Sequence, residues 1–235
     1  MKVTVDQAFW DLFPTARITV MSLYGIDNTV DEAKDPYFKE LLDKGAKRAW
    51  EFIDEENYTQ SEFVQEWRQA FSKFKTKKGA RSSIEALLKR VHQGREFYPI
   101  NPLVDLYNSV SMAYALPCGG EDMDKLVGGL SLGQAKGGEP FFPLGADEDA
   151  PALEGEIIYY DQEGAVCRCL NWREAQRTML TEDTKDAILV IEAINEEQAE
   201  RAQTAMQELK DLAKDYFGVE GTIYQLSAEH ASIEV

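Results

Sequence analysis

The sequence predicts an α+β protein in which a β-sheet is covered by helices. Apolar residues recur at helical spacing over residues 31–53 and 60–74. Runs rich in β-forming residues lie at 16–23, 187–194 and 221–227. Because helical and strand patterns are mixed along the chain, the α+β class fits better than an all-helical or all-strand fold.

The strand and the two helices nearest the N-terminus form a first section. Phe38 and Leu42 fall on one face of the first helix, and Trp67 and Phe71 fall on one face of the second. A short basic turn at 75–79 follows. We therefore expect an N-terminal α/β section over residues 1–75 that packs on the same unit as residues 76–235.

Three later helices have recognisable ends. Residues 82–85 (Ser-Ser-Ile-Glu) resemble a capping box. Asn101 followed by Pro102 is typical of an N-cap with proline at the first helical position. Asn195 is expected to cap a long helix that ends at Gly218.

The strands between these helices include a hairpin and a buried strand. Residues 156–160 and 164–170 flank a turn at Asp161–Gly164. The apolar run at 187–194 is expected to lie in the middle of a sheet. Residues 128–149 hold six of the sixteen glycines, so irregular structure that could wrap a pocket is expected there.

Composition excludes several classes of protein. The 235 residues carry 25 Lys+Arg and 42 Asp+Glu, a net charge of −17, which taken alone argues against nucleic acid, and DNA is not expected as a partner. The chain contains no apolar run of about 18 residues, so no transmembrane helix is predicted. The first residues are acidic where a signal peptide needs an apolar run. Three cysteines are too few for a disulfide framework, so a cytoplasmic protein is expected.

One basic island stands in this acidic chain. Nine basic residues lie between Arg68 and Arg95, and only Glu85 opposes them. The island is either a solvated helix end and loop or a strip that contacts phosphates.

Neither a metal nor a cofactor is predicted. Cys167 and Cys169 alternate on a predicted strand and would share a face, but only Cys118, His92 and His230 remain as further nitrogen or sulfur donors. Two small buried side chains are the simpler interpretation. The chain also has no GxSxG elbow, no P-loop and no GxGxxG turn.

Two groups of polar residues are candidates for a site. Asp105, Asn108 and Ser111 recur on an otherwise apolar helix, where they either bond backbone in the core or line a pocket. Residues 171–178 follow a strand and combine arginines, a glutamate and an amide around a tryptophan. Polar residues at strand ends often build sites, and a structural Arg–Glu pair is the alternative.

Residues 82–195 resemble the B3/B4 domain of the bacterial phenylalanyl-tRNA synthetase β subunit, in the form found in free-standing proteins. The family's segments occur in its order and spacing: SIEALLKRV, INPLVDLYNSVSMAYALPCGGEDMDKL, FFPLG, GEIIYYD, CRCLNWREAQRT and TEDTKDAILVIEAI. The resemblance implies a compact unit with a central sheet. In the synthetase that unit holds an editing pocket, which hydrolyses tyrosine wrongly attached to phenylalanine tRNA.

The resemblance carries over at some positions and fails at others. Asn108 matches an asparagine that lines the synthetase pocket, and Glu174 matches the glutamate that recognises the tyrosine hydroxyl. Gly119 stands where the pattern often has a pocket histidine. Trp172 and Arg173 replace two glycines, so the pocket position is expected to persist with a different substrate.

The resemblance therefore implies aminoacyl-tRNA binding with editing-type hydrolysis in trans and without a cofactor. Asn108 and Ser111 would orient the ester or the water, and Glu174 would read a polar group of the amino acid. Further substrate-binding residues are expected at Asp105, Asn171, Arg173, Arg177, Thr178 and Thr184. The acceptor stem would meet Lys75, Lys77, Lys78, Arg81, Lys89 and Arg90.

Two other functions remain open. The pocket could hold an amino-acid-like small molecule in a protein that is not an enzyme, which the net charge and the missing histidine favour. Alternatively, the acidic N-terminal helices could form an interaction scaffold. Their apolar faces also leave a homodimer open, and the amino acid and tRNA recognised are not fixed by the sequence.

Overall fold

The structure, a computed structural model, describes all residues from 1 to 235 and confirms the α+β class. The helices are α1 (Gln7–Leu12), α2 (Asp35–Ala49), α3 (Glu62–Phe71), α4 (Ser83–His92), α5 (Pro102–Tyr114) and α6 (Glu196–Phe217). The strands are β1 (Lys2–Val5), β2 (Arg17–Leu23), β3 (Cys118–Asp122), β4 (Leu130–Gln134), β5 (Ile157–Tyr160), β6 (Ala165–Arg168), β7 (Arg173–Glu174), β8 (Ala187–Ala193), β9 (Thr222–Leu226) and β10 (Ser232–Glu234).

The strands form two sheets where the sequence suggests one central sheet. A four-stranded sheet has the order β3-β8-β2-β9, with every pair antiparallel. A six-stranded sheet has the order β10-β1-β4-β5-β6-β7, in which only β1 and β4 run parallel. The N-terminal section supplies β1 to one sheet and β2 to the other, so a cut at residue 75 would remove a strand from each.

The two sheets pack face to face, and helices cover the outer face of the smaller one. Because side chains alternate along a strand, Val20 and Val190 point from the four-stranded sheet into the core shared with Leu132 of β4. Met21 and Leu189 point the other way, into a second core that α5 and α6 complete. The molecule thus has three layers: helices, the smaller sheet and the larger sheet.

Two helix caps are confirmed and one is not. The side chains of Asn101 and Asn195 accept hydrogen bonds from the first turns of α5 and α6, and Gly218 ends α6 at φ 70°. The capping box before α4 is wrong, because the Ser82 hydroxyl has no partner. The Glu85 carboxylate instead accepts from the Arg68 guanidinium at 2.8 Å.

Glycine-rich and irregular segments account for the other differences. Strand β4 lies within residues 128–149, where irregular structure was expected. Its main-chain hydrogen bonds to β1 and β5 hold it, although its residues LSLGQ have little strand propensity. Cys169 has φ 48°, so β6 ends at Arg168 and the two cysteines do not alternate along one strand as predicted. Both are buried, as the simpler interpretation expected.

A buried ion pair anchors the segment between β4 and β5. Arg168, 1 % exposed, donates from Nε to Glu156 at 2.8 Å and from Nη1 to the Ala150 carbonyl at 2.5 Å. Its guanidinium also lies 5.7 Å from the centre of the Phe141 ring. One side chain therefore contacts three points of this irregular segment: Phe141, Ala150 and Glu156.

Replacing Arg168 by methionine should lower the free energy of unfolding by about 3–5 kcal/mol, because Glu156 would be left buried and unpaired. Urea denaturation measures the loss. Lys39→Met is the matched control, since it breaks the exposed Lys39–Asp43 pair and should cost under about 1 kcal/mol. Equal losses in the two variants would contradict this account of the segment.

Candidate functional site

A cavity of about 390 Å³ lies between the two sheets. Strands β3 and β8 line it from the smaller sheet, and β4, β5, β6 and β7 line it from the larger one. One face of α4 and the Tyr107–Asn108 turn of α5 close it. Pockets of about 300–1,000 Å³ are typical of small-molecule sites, so this one fits a ligand about the size of an amino acid.

Three glutamates from three strands face this cavity: Glu121 on β3, Glu174 on β7 and Glu192 on β8. The pleat of β8 places Glu192 on the same face as Val190, which points towards the larger sheet. Glu121 is 6 % exposed and Glu192 is 3 % exposed. Buried carboxyls are rare in proteins unless they are paired, so the cluster marks a specialised site.

Glu192 joins the two sheets. The Tyr159 hydroxyl on β5 donates to one of its oxygens at 2.9 Å, and the Asn171 amide donates to the other at 3.3 Å. Burial raises the pKa of Glu192 to about 8, and the two hydrogen bonds only partly oppose that shift.

Glu121 and Glu174 are less satisfied. Oε2 of Glu121 is buried without a hydrogen-bond partner. Burial raises the pKa of both carboxyls, and the nearby Glu174 charge raises that of Glu121 further. A Cβ atom added to Gly119 would lie 3.3 Å from Oε1 of Glu174. The glycine at this position therefore leaves room for the carboxyl.

The two cavity thiols are not activated. Burial raises the pKa of Cys118 and of Cys167 well above the ordinary value for a thiol. A thiolate is the nucleophilic form of cysteine, and neither site favours it. These cysteines act as small apolar walls.

The rim of the cavity is cationic. The guanidinium of Arg173 lies 5.2 Å from the Trp172 ring centre, and that of Arg90 lies 4.3 Å from the Phe97 ring centre. Arg90 also donates to the Glu96 carbonyl at 3.0 Å. Both arginines are exposed, and neither forms an ion pair with a cavity glutamate, so an anionic part of a ligand could bind there.

Four of the residues predicted for the site meet in this cavity: Asn108, Asn171, Arg173 and Glu174. They come from α5, the turn after β6, and β7. Oδ1 of Asn171 is buried without a hydrogen-bond partner. The helix and the strand end identified separately in the sequence therefore line one cavity.

Asp105 and Ser111 lie away from the cavity, although they share a helix with Asn108. Both carboxylate oxygens of Asp105 accept from the Ile100 amide at 3.0 Å, and burial raises its pKa to about 7. The Ser111 hydroxyl donates to the Leu116 carbonyl at 2.5 Å. Both side chains are buried, and neither lines the cavity.

Three other predicted residues also have structural surroundings. Arg177 binds Asp161 with two hydrogen bonds of 2.7 and 2.8 Å, which braces the β5–β6 hairpin. The Thr184 hydroxyl donates to Asp122 at 2.9 Å. Thr178 is buried and lies outside the cavity lining. None of these three residues lines the cavity.

The basic island is exposed but only partly adjacent to the cavity. Arg90 lines the cavity, whereas five members lie outside it: Lys75, Lys77, Lys78, Arg81 and Lys89. None of these six residues forms an ion pair, whereas Arg68 is bound to Glu85. The six cations are thus free to meet a polyanion, although they do not all face the cavity.

Sequence reasoning missed Glu121 and Glu192. The sequence does contain a feature that could have identified Glu192, since it is the one charged residue in the apolar run at 187–194. Burying a charged group costs free energy, so a charge in a buried strand indicates a special role. Glu121 had no such feature, because its strand β3 was not predicted.

Two other classes of site have no counterpart in the structure. No group of three or more His, Cys, Asp or Glu side chains is arranged to hold a metal ion. None of the helices combines the length and apolar character needed to cross a bilayer.

The sequence model of the B3/4 domain matches residues 66–221. The chain belongs to the B3/4 domain family. This confirms the family resemblance, and the match includes every residue that lines the cavity.

Other comparisons add little to this assignment. Among solved structures, an N-terminal fragment of the phenylalanyl-tRNA synthetase β subunit from Pyrococcus horikoshii is 13 % identical, with a TM-score of 0.45. The alignment covers 95 % of this chain and 53 % of that fragment, so the chain spans about half the fragment's length. A search of curated proteins finds no match.

The raised pKa of Glu192 predicts that stability falls as the pH rises from about 5 to 8. The unfolded carboxyl ionises near its ordinary value of 4.5 and the folded one near 8, so the folded state binds more protons in this window. Glu192→Gln should flatten the fall, to which one group contributes at most about 1.4 kcal/mol per pH unit.

Urea denaturation at a series of pH values measures this slope. Glu200→Gln, on the exposed face of α6, is the matched control and should keep the wild-type slope. An unchanged slope in Glu192→Gln would mean that this carboxyl is ionised throughout the range.

Proposed function

We propose that the cavity binds the aminoacyl end of a tRNA and that the protein hydrolyses the ester of a mischarged aminoacyl-tRNA in trans. The observation that carries this proposal is the meeting of Asn108 and Glu174 in one cavity of about 390 Å³. Both residues match pocket positions in the resemblance to the synthetase editing domain. The cavity also lies wholly within the B3/4 match.

Hydrolysis of an aminoacyl ester needs few catalytic groups from the protein. An aminoacyl ester is already activated, so positioning a water molecule and stabilising an oxyanion supply most of the acceleration. Water adds to the carbonyl carbon, the ester C–O bond breaks, and the ribose hydroxyl leaves with the proton that the water loses. The Asn108 amide, which faces the cavity from α5, is placed to orient the ester or the water.

The rim is suited to the nucleotide part of such a substrate. Arg90 and Arg173 are exposed beside the cavity and can bind phosphate oxygens of the terminal nucleotides. The other exposed cations of the basic island would contact the acceptor stem further out. Since the protein's net charge is −17, these local cations have to overcome a repulsive overall field.

A second candidate is a binding module that holds an amino-acid-like molecule without hydrolysing it. Gly119 favours this candidate, because it supplies no side chain where the family pattern often has a histidine. The placement of Ser111 in the core removes another polar group that could have assisted the reaction.

Hydrolysis can be measured with a panel of correctly and wrongly charged tRNAs, including tyrosine on phenylalanine tRNA. The protein should accelerate loss of one ester, and Asn108→Ala should slow that loss by about 100-fold, as removal of an oriented hydrogen-bond donor does in other hydrolases. Glu174→Gln should change which ester is preferred, because this carboxyl faces the bound amino acid.

The control is Glu200→Gln, which should keep the wild-type rate. If the folded protein hydrolyses no member of the panel, the hydrolytic function is wrong and the binding module replaces it. Slowing of the control to the same extent would show that the loss comes from impaired folding.

A further inference from the structure

The cavity contains a buried carboxyl, that of Glu121, to which no group of the protein donates a hydrogen bond of good geometry, although the nearby Thr178 hydroxyl partly opposes the rise of its pKa. Glu121 is 6 % exposed, and its Oε2 receives no hydrogen bond. An unsatisfied buried group costs about 1–3 kcal/mol, and more if it is charged. Native structures seldom keep such a group without a reason, and here it lines a cavity of ligand size.

A second free acceptor lies beside it. No side chain donates to the Glu174 carboxyl, and only the Gly120 backbone amide partly opposes the rise of its pKa. Glu192 differs, because Tyr159 and Asn171 already donate to its two oxygens. Glu121 and Glu174 are therefore the two carboxyls with acceptor capacity to spare.

No cation of the protein is committed to these two groups. The charge of Arg177 lowers the pKa of Glu121, but Arg177 is held by Asp161, whose own charge has the opposite effect. Arg90 and Arg173 lie at the exposed rim against aromatic rings. The inner part of the cavity is therefore acidic while its mouth is basic.

We propose that the cavity recognises an amino-acid side chain ending in a primary ammonium group, which Glu121 and Glu174 bind together. A hydroxyl supplies a single proton and no charge, so it would satisfy one carboxyl only. An ammonium group supplies three donors and a positive charge, and so can serve both.

The burial of Glu121, which is deeper than that of the half-buried Glu174, favours the side chain over the α-ammonium group. This step rests on the proposed function, in which the ester and its ribose lie at the mouth between Arg90 and Arg173. The α-ammonium group is next to the ester and stays near that mouth. Only the end of a long side chain, such as that of lysine, reaches the buried Glu121.

Isothermal titration calorimetry on the full chain with three methyl esters tests the inference. L-Lysine methyl ester should bind at least tenfold more tightly than L-norleucine methyl ester, which has the same chain length without the side-chain ammonium, and than L-tyrosine methyl ester. Glu121→Gln should reduce the affinity for the lysine ester to the norleucine level. Glu200→Gln should preserve the preference.

Equal affinity for the three esters, or no binding of any of them, would overturn the inference. So would a lysine preference that survives in both Glu121→Gln and Glu174→Gln. If a variant fails to fold, the wild-type series still decides, because it compares ligands on one protein.

The outcome is separable from that of the proposed function. A lysine preference in a protein that hydrolyses no aminoacyl-tRNA would support this inference and overturn the hydrolysis. Hydrolysis confined to esters of tyrosine or another uncharged amino acid would support the proposed hydrolytic function and overturn the inference of an ammonium-binding cavity.

Discussion

The hydrogen bond from the Tyr159 hydroxyl to the Glu192 carboxyl joins the two sheets where both of them line the cavity. On the same face of β8, Ile188 and Val190 belong to the apolar core that the two sheets share. At Glu192 the side chain between the sheets is a carboxyl instead of an apolar group, and it accepts hydrogen bonds from the Tyr159 hydroxyl and the Asn171 amide. Burial of the Glu192 carboxyl raises its pKa and lowers the stability of the folded protein. Functional sites commonly sacrifice stability in this way.

The helices could be predicted from the sequence because their signals are local. Asn101 and Asn195 cap helices with their own side chains, and the apolar strand β8 follows from composition alone. Strands β3 and β4 contain glycines, and their partners lie far away in sequence, so no local pattern indicates them. Their pairing depends on the whole fold, which is the information that a single sequence does not display.

The same division applies to the site. Asn108 and Glu174 were found because they match a known pattern, whereas Glu121 lies on the strand that was missed. Asn108 and Ser111 share one helix, but tertiary packing places the first at the cavity and the second in the core, where it donates to the Leu116 carbonyl. The acidic interior and basic rim together suggest a ligand with a cationic end and an anionic end, as a lysyl ester of a nucleotide has.

A crystal structure with a non-hydrolysable amide of lysine and 3′-amino-adenosine 5′-phosphate would test this account most directly. The lysine side chain should lie between the two sheets, with its ammonium about 3 Å from the Glu121 and Glu174 carboxylates. The phosphate should lie at Arg90 and Arg173. An analogue bound outside the cavity, or bound with its adenosine inside and its lysine in solvent, would contradict it.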